Sequence, residues 1–202
     1  MKTTILFVRH GQTDWNVAGR WQGFTDIPLN EVGKRQAELV ARRMGGWPIG
    51  AIYTSDLSRA AETARTIAAA HDGLDVVVDP AWRERGLGEL EGLTKGEIRE
   101  QYPHLSLPRT FIEAPGGESY VDLQRRVLVA YRRILAEHAG ETVVVVSHGG
   151  TLRTVISHIL ELPERIYAPF TLNGNTGISR VTVDEEGHGQ LVTLNDTAHL
   201  EE

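Results

Sequence analysis

Two histidines in this sequence follow short apolar, β-branched runs. The run that ends at Val8 is followed by Arg9 and His10, and a second run, 142–146, is followed closely by His148. In an open α/β sheet, ligands bind outside the carboxyl ends of the strands. A strand-end histidine taken singly also serves simply to satisfy backbone groups. The pair therefore predicts a site whose chemistry depends on the residues around it.

Two charged residues follow other predicted elements. Arg59 lies in the first turn of a predicted helix that begins near Ser55 or Asp56. The N-terminus of a helix attracts anions, and a guanidinium adds to that attraction, although a surface arginine is the simpler interpretation of Arg59 alone. Glu84 lies in the glycine-rich loop 82–88, where a carboxylate is either a solvated charge or a general acid.

Together these residues form one chemical set. It comprises a histidine nucleophile, two arginines and a second histidine that neutralise a phosphoryl group, and a carboxylic acid that protonates the leaving oxygen. Phosphoryl transfer requires mainly positioning and charge stabilisation. The set therefore predicts phosphoryl transfer that needs no metal ion and no cofactor.

Strands and helices alternate along the chain, which predicts an α/β fold with a mostly parallel central sheet. Short β-branched runs predict strands at 3–8, 51–54, 76–78 and 142–146. Apolar residues at helical spacing predict helices around 37–44, 60–68, 119–135 and 152–160. Ser119 and Asp122 are expected to form a capping box, and residues 178–194 a hairpin at the sheet edge, around a turn at 184–189.

Residues 103–117 are rich in proline and glycine, which predicts an irregular flap rather than a domain boundary. The polar face of the helix that follows is expected to be solvated. It carries Arg125, Arg126, Arg132 and Arg133. We therefore expect one domain over residues 1–202.

Six short segments occur in an order that is characteristic of a known family. They are 9–13 with Asn16, 22–23 before Asp26, 55–60, 83–86, 116–119 and 147–149. In this order and over nearly the whole chain, they resemble the phosphoglycerate-mutase-like branch of the histidine phosphatase superfamily. The resemblance implies a three-layer fold, in which helices flank the mostly parallel sheet.

The resemblance also implies a role for each matching residue. Neutral His10 attacks phosphorus and becomes a phosphohistidine, and Glu84 protonates the leaving oxygen before it accepts a proton from water. Arg9, Arg59 and His148 surround the phosphate, which is expected to favour protonation of His148. The further substrate contacts implied are Asn16, Gln22, Gly23 and Gly149.

Two departures from the mutases of this family favour hydrolysis. Leu87 occupies the position three after Glu84, where glycolytic mutases usually carry tyrosine and metal-independent phosphoserine phosphatases commonly carry histidine. The interval between Glu84 and His148 also lacks the long, arginine-bearing insertion of the mutases. We therefore expect a hydrolase of small phosphomonoesters. A 2,3-bisphosphoglycerate-dependent phosphoglycerate mutase and a catalytically silent, phospho-ligand-binding scaffold remain the alternatives.

Other catalytic motifs are incomplete in this sequence. A serine nucleophile at Ser147 would need glycine two residues earlier, where Val145 stands. The glycines of 86–92 miss the dinucleotide fingerprint because Glu91 occupies the third glycine position. A P-loop at Lys34 lacks its upstream glycine, and none of the eight histidines has a partner four residues away for zinc.

The composition excludes several other classes of function. In 202 residues, 21 Lys and Arg against 27 Asp and Glu give a net charge of −6, which argues against nucleic-acid and anionic-membrane binding. The chain has no cysteine, so disulfides, thiolate metal sites and cysteine nucleophiles are excluded. No apolar run approaches the roughly 20 residues of a membrane helix. We expect a cytoplasmic protein whose partner is a small phosphomonoester, and a homodimer is left open.

Overall fold

The computed structural model describes residues 2–105, 112–163 and 169–201. Its strands are β1 (Thr3–Arg9), β2 (Ile49–Thr54), β3 (Val76–Val78), β4 (Thr142–Ser147), β5 (Ile178–Val183) and β6 (Gly189–Asp196). They form one sheet in the order β3-β2-β4-β1-β5-β6. The pairs among the first four are parallel, and β5 and β6 are added antiparallel, as the predicted edge hairpin.

Helices cover both faces of this sheet. They are α1 (Asp14–Val17), α2 (Glu31–Met44), α3 (Ser58–Ala68), α4 (Lys95–Gln101), α5 (Tyr120–Glu137) and α6 (Gly149–Ile159). Because successive strand residues point to opposite faces, Phe7 and Val145 pack with α5 and α6, whereas Val8 and Val146 pack with α2 and α3. The three-layer α/β fold with a mostly parallel sheet is therefore confirmed.

Strand β4 lies at the centre of the sheet, between β1 and β2. Its valines, Val143 to Val146, are fully buried, as expected of a continuous apolar run that is covered on both faces. This central strand fixes the position of the residues that follow it, and His148 is the first residue beyond its end.

Helix α3 begins at Ser58, later than the predicted start near Ser55 or Asp56. The reason lies outside the local sequence. The Asp26 carboxylate accepts hydrogen bonds from the backbone N–H and the hydroxyl of Ser58, both at 2.8 Å. Leu57, which precedes the helix, has an extended backbone. A residue from a distant loop thus supplies the N-terminal cap.

Two other expectations concern the segment before α5. Of the predicted flap at 103–117, residues 106–111 lie outside the described residues, while Ile112 and Ala114 are buried against Leu90 and Ile98. Ser119 caps α5 by accepting from the Asp122 N–H at 3.1 Å. The Asp122 carboxylate accepts from the Ser119 hydroxyl, which differs from the reciprocal backbone bond of the predicted capping box.

Across the three described ranges, no helix combines the length and the apolar character that crossing a membrane requires.

Candidate active site

The two strand-end histidines lie side by side. Arg9 at the end of β1 is in register with Ser147 at the end of β4, because the two strands are parallel neighbours. The His10 N–H donates to the Ser147 carbonyl at 2.9 Å. The rings of His10 and His148 follow, with centroids 5.1 Å apart. Strand pairing therefore brings both histidines together at the same edge of the sheet.

The ring of His10 is oriented by the next residue. Its Nδ1 lies 2.7 Å from the Gly11 carbonyl oxygen. A carbonyl only accepts, so Nδ1 carries the proton and the lone pair is on Nε2. Burial of the ring, together with the positive charges of Arg59 and Arg9, lowers the pKa of His10 well below its usual range. His10 is thus held as a neutral imidazole with its lone pair on Nε2.

Gly11 is required by close packing against α2. A Cβ atom on Gly11 would lie 2.5 Å from the Gly33 carbonyl oxygen, too close for any side chain. The Gly11 N–H also donates to the Thr63 hydroxyl on α3, at 3.1 Å. The backbone on which His10 rests is therefore fixed from two helices.

Arg59 is fully buried on the first turn of α3. Its Nη1 and Nη2 donate to the carbonyls of Thr25 and Gly23, each at 2.9 Å, and its Nε donates to His148 Nδ1 at 3.3 Å. Burial lowers the pKa of Arg59 to about 10, while Glu84 opposes that change. Arg59 therefore remains a cation at neutral pH and is held rigidly beside both histidines.

His148 has both ring nitrogens bound by protein groups. Its Nδ1 accepts from Arg59, so the neutral ring carries its proton on Nε2, which donates to the Ser55 hydroxyl at 2.7 Å. Burial and the charge of Arg59 lower the pKa of His148 well below its usual range. Protonation of His148 on phosphate binding, as the sequence suggests, would require Arg59 Nε to release Nδ1.

Arg9 is held by the loop before β5. Its Nη1 donates to the carbonyls of Leu172 and Asn173, at 3.1 and 2.7 Å. Its Nε is buried, and no hydrogen-bond acceptor for it exists among the residues that the structure describes. A Cβ on Gly149 would approach this Nε to 3.7 Å, so Gly149 borders Arg9. A buried donor without an acceptor is what an anionic ligand would satisfy.

Glu84 lies at the N-terminus of α6, where backbone N–H groups have no partner within the helix. The N–H groups of Gly150 and Thr151 donate to its two carboxylate oxygens at 3.0 and 3.1 Å. The Arg85 N–H adds a third hydrogen bond at 2.9 Å. The helix that begins directly after His148 therefore orients the carboxylate.

A cavity of about 190 Å³ joins these residues. It is lined by Arg9, His10, Asn16, Arg20, Trp21, Gln22, Gly23, Arg59, Glu84 and Leu87. Asn16 Oδ1 accepts from the Thr13 N–H and hydroxyl, both at 3.1 Å, which leaves the Asn16 Nδ2 group to donate to a ligand. Gln22 Oε1 is buried without a partner among the described residues. His148 and Gly149 adjoin the lining residues but do not belong to them.

A model of the histidine phosphatase superfamily (branch 1) matches residues 5–197 of the chain. The chain belongs to this superfamily. A metal-independent phosphoserine phosphatase of Arabidopsis thaliana is 42% identical over 166 residues, which cover 79% of this chain and 69% of that protein. A probable phosphoglycerate mutase of Yersinia enterocolitica is 40% identical over 98% of this chain and 94% of its own.

A solved structure also resembles this histidine phosphatase. Mycobacterial glucosyl-3-phosphoglycerate phosphatase, in complex with VO3, matches it with a TM-score of 0.88 at 32% identity, over 96% of this chain and 99% of its own. The predicted family and fold are therefore confirmed. So is the assignment of the chain to the phosphomonoesterases of the histidine phosphatase type.

The expectation of a solvated arginine face on α5 is wrong for Arg126. Its guanidinium pairs with Glu118 through two hydrogen bonds, at 2.6 and 2.8 Å. It also donates to the carbonyls of Ala81, Arg83 and Glu84, at 2.7–2.9 Å. The side chains of Arg126 and Glu118 are only 21% and 13% exposed. Arg126 therefore fixes the loop that carries Glu84.

Glu91 is a second organising residue that the sequence did not reveal. Its carboxylate accepts from the backbone N–H groups of Phe24, Thr25 and Leu87, each at 2.9 Å. A Cβ on Gly23, whose φ is +53°, would lie 2.1 Å from Glu91 Oε1. Glycine is therefore required at position 23, next to the carbonyl that holds Arg59. In the sequence, the one indication of this role of Glu91 is that a glutamate interrupts the glycines of 86–92.

Ser147 has a structural role in the histidine phosphatase. Its buried hydroxyl donates to the Trp82 carbonyl at 2.7 Å and so ties the end of β4 to the start of the Glu84 loop. This hydrogen bond explains the serine before His148 without nucleophilic chemistry.

Proposed function

We propose that this histidine phosphatase hydrolyses small phosphomonoesters through a phosphohistidine at His10 Nε2. One observation carries the proposal. The Nδ1 proton of His10 is bound by the Gly11 carbonyl, so the Nε2 lone pair is left to attack, in a pocket lined by two arginines. The neutral, buried imidazole needs no general base to become a nucleophile.

The phosphoryl group would lie against the N–H donors of the pocket. Arg9, Arg59 and Asn16 line it, and each of these side chains carries N–H groups that can donate to a phosphate oxygen. The two guanidinium groups offset the charge that spreads over the phosphoryl oxygens during transfer. Because arginines supply this positive charge, the mechanism requires no metal ion.

The first chemical step forms the Nε2–P bond and breaks the P–O bond of the ester. Glu84, protonated at this point, gives its proton to the leaving oxygen, which departs as an alcohol. The imidazole gains positive charge as the bond forms. The Gly11 carbonyl, 2.7 Å from Nδ1, stabilises that charge by accepting a hydrogen bond from the remaining ring N–H.

The second step returns the enzyme to its starting state. Glu84, now a carboxylate, accepts a proton from water, and the resulting hydroxide oxygen attacks phosphorus while the Nε2–P bond breaks. Inorganic phosphate leaves, and Glu84 is again protonated. The sum is hydrolysis of one phosphomonoester by one water molecule.

The size of the cavity supports a small substrate. Beyond the phosphate contacts, Arg20, Trp21 and Leu87 line the space for the leaving group. Two relatives are named for phosphatase activity toward phosphoserine and toward glucosyl-3-phosphoglycerate, both small phosphomonoesters.

A single domain over 1–202, a cytoplasmic location and a homodimer stay predictions. The absence of nucleic-acid and membrane partners also stays a prediction.

A mutase is the second candidate function. It is favoured by the 40% identity to a probable phosphoglycerate mutase. The phosphohistidine would be common to both reactions, and the candidates differ in whether water or a second phosphoglycerate takes the phosphoryl group. Hydrolysis is preferred because Leu87 is uncharged and the interval between Glu84 and His148 lacks the long, arginine-bearing insertion of the mutases.

The test is phosphate release from p-nitrophenyl phosphate and 3-phosphoglycerate, with EDTA present and with orthovanadate as inhibitor. Arg59→Ala should lower the rate by about 10² to 10³-fold, since it removes a buried positive charge from the pocket. Arg65→Ala, on the exposed face of the same helix, is the matched control and should retain activity. Activity that depends on added divalent ions, or that survives Arg59→Ala, would refute the proposal.

A further inference from the structure

The loop at 172–177, which leads into β5, contacts the end of β1. Besides the two carbonyls that hold Arg9, the Thr176 N–H donates to the Arg9 carbonyl at 3.0 Å. The side chain of Asn175 also reaches this point. Its Nδ2 donates to the His10 carbonyl at 2.9 Å and to Asn16 Oδ1 at 3.4 Å. An amide nitrogen carries two hydrogens, so one side chain can bind both acceptors.

The contact with His10 completes the fixing of one peptide group. The carbonyl of the His10–Gly11 peptide accepts from Asn175, and the N–H of the same peptide donates to Thr63. This peptide carries Gly11, whose own carbonyl holds the His10 ring through Nδ1. The direction of Nε2 therefore depends on the orientation of a peptide that Asn175 and Thr63 hold from two sides.

The contact with Asn16 orients the side-chain amide that is proposed to donate to the phosphate. Asn16 Oδ1 accepts from Thr13 and from Asn175, so its Nδ2 faces the other way, toward the cavity that it lines. Asn175 thus links the nucleophile and a phosphate-binding amide through a single group.

The backbone that presents Asn175 is strained. Thr176 has φ of +56°, a left-handed conformation that β-branched residues rarely adopt. Its side chain is fully buried, and its hydroxyl donates to the Asn175 carbonyl at 2.7 Å. The Thr176 hydroxyl oxygen also accepts from His199 Nε2 at 3.0 Å. Strained backbone persists where surrounding contacts impose it, and such sites cluster near functional groups.

We propose that Asn175 is a positioning residue that aims His10 Nε2 and Asn16 Nδ2 at the same phosphoryl group. The proposal rests on the proposed role of His10 as nucleophile. Asn175 touches neither the reacting nitrogen nor the substrate, so its removal should slow formation of the phosphohistidine more than it weakens substrate binding.

The test compares Asn175→Ala and Asn175→Asp with Thr171→Ala, a control at an exposed position of the same segment. The aspartate has nearly the same volume but turns oxygen toward two acceptor oxygens, so its effect should exceed that of alanine. We expect kcat on p-nitrophenyl phosphate to fall about 10 to 100-fold in Asn175→Ala, with KM changed less than about threefold. The unfolding midpoints should match that of the control.

The outcomes separate this proposal from the proposed function. A wild-type enzyme that forms no phosphohistidine in a rapid quench refutes both. Wild-type labelling, together with kcat values of both Asn175 variants near that of Thr171→Ala, refutes the positioning role alone. A loss found equally in KM, or matched by a lowered unfolding midpoint, assigns Asn175 to binding or folding and also overturns it.

Discussion

His10 and His148 occupy equivalent positions after two neighbouring parallel strands, and their rings lie 5.1 Å apart, yet their hydrogen bonds differ. His10 is bound through Nδ1 alone, which leaves Nε2 to the cavity. His148 is bound at both nitrogens, by Arg59 and Ser55. The Nε2 of His10 is thus left without a partner among the described residues, whereas both nitrogens of His148 are occupied and its Nδ1 holds the Arg59 guanidinium.

The free energy of unfolding should decrease as the pH is lowered, because the two buried histidines resist protonation in the folded protein. Both have folded-state pKa values well below the usual 6.5, so below pH 6.5 the unfolded chain binds protons that the folded protein excludes. Stability rises with pH up to about 6.5 for this reason. Between pH 7.5 and 5.5, His10→Asn should lose about 1 kcal/mol less unfolding free energy than wild type. Equal losses in urea titrations would contradict this.

Glu84→Gln should affect substrates according to their leaving groups. An alkyl phosphate needs a proton on its leaving oxygen, so its hydrolysis should slow by about 10² to 10⁴-fold. The good leaving group of p-nitrophenyl phosphate should make its loss smaller. Glu89→Gln, an exposed carboxylate in the same loop, is the control. If both substrates lose the same factor, Glu84 is not the proton donor.

Arg126→Ala should destabilise the fold as well as slow catalysis. It would remove the hydrogen bonds that Arg126 donates to the Glu118 carboxylate and to three loop carbonyls. The pair is partly buried, and leaving such a group short of a hydrogen-bond partner costs about 1–3 kcal/mol, so a fall of that order in unfolding free energy is expected. Arg125→Ala, which removes a side chain that is 70% exposed, should change it by less than about 0.5 kcal/mol. Similar values for both variants would rule out the clamp.

The sequence was sufficient to predict the mostly parallel sheet and the proximity of His10 and His148. Strands buried on both faces are recognisable in the sequence as continuous β-branched runs. Neighbouring parallel strands end at the same edge of the sheet, so the residues after Val8 and Val146 must be close. The position of Glu84 came from family resemblance. Nothing local indicates that a residue in a loop will reach the N-terminus of α6.

Contacts between distant segments explain what the sequence left hidden. Arg126 lies on the polar side of its helix by spacing, but its partners in the loop precede it by more than 40 residues. Helix α3 begins at Ser58 because Asp26, 32 residues earlier in the chain, caps it there. Asn175, between Gly174 and Thr176, is typical of an ordinary turn. Periodicity and capping rules describe neighbours along the chain and cannot register such pairs.

Incubation with 3-phosphoglycerate and a trace of 2,3-bisphosphoglycerate separates the two candidate reactions. A mutase must keep water from the phosphohistidine, which calls for a closed lid and extra cations. Leu87 adds no such charge to the cavity. We expect little 2-phosphoglycerate, whether or not phosphate is released. Interconversion faster than phosphate release would assign the chain to the mutases.

The central claim is that His10 carries the phosphoryl group during turnover. Wild-type enzyme, mixed with a radiolabelled phosphomonoester and quenched within milliseconds in base, should hold label that is stable in base and released by acid. His10→Ala should hold none, because the accepting Nε2 is gone. Equal labelling of the two proteins, or turnover by His10→Ala at the wild-type rate, would contradict the account.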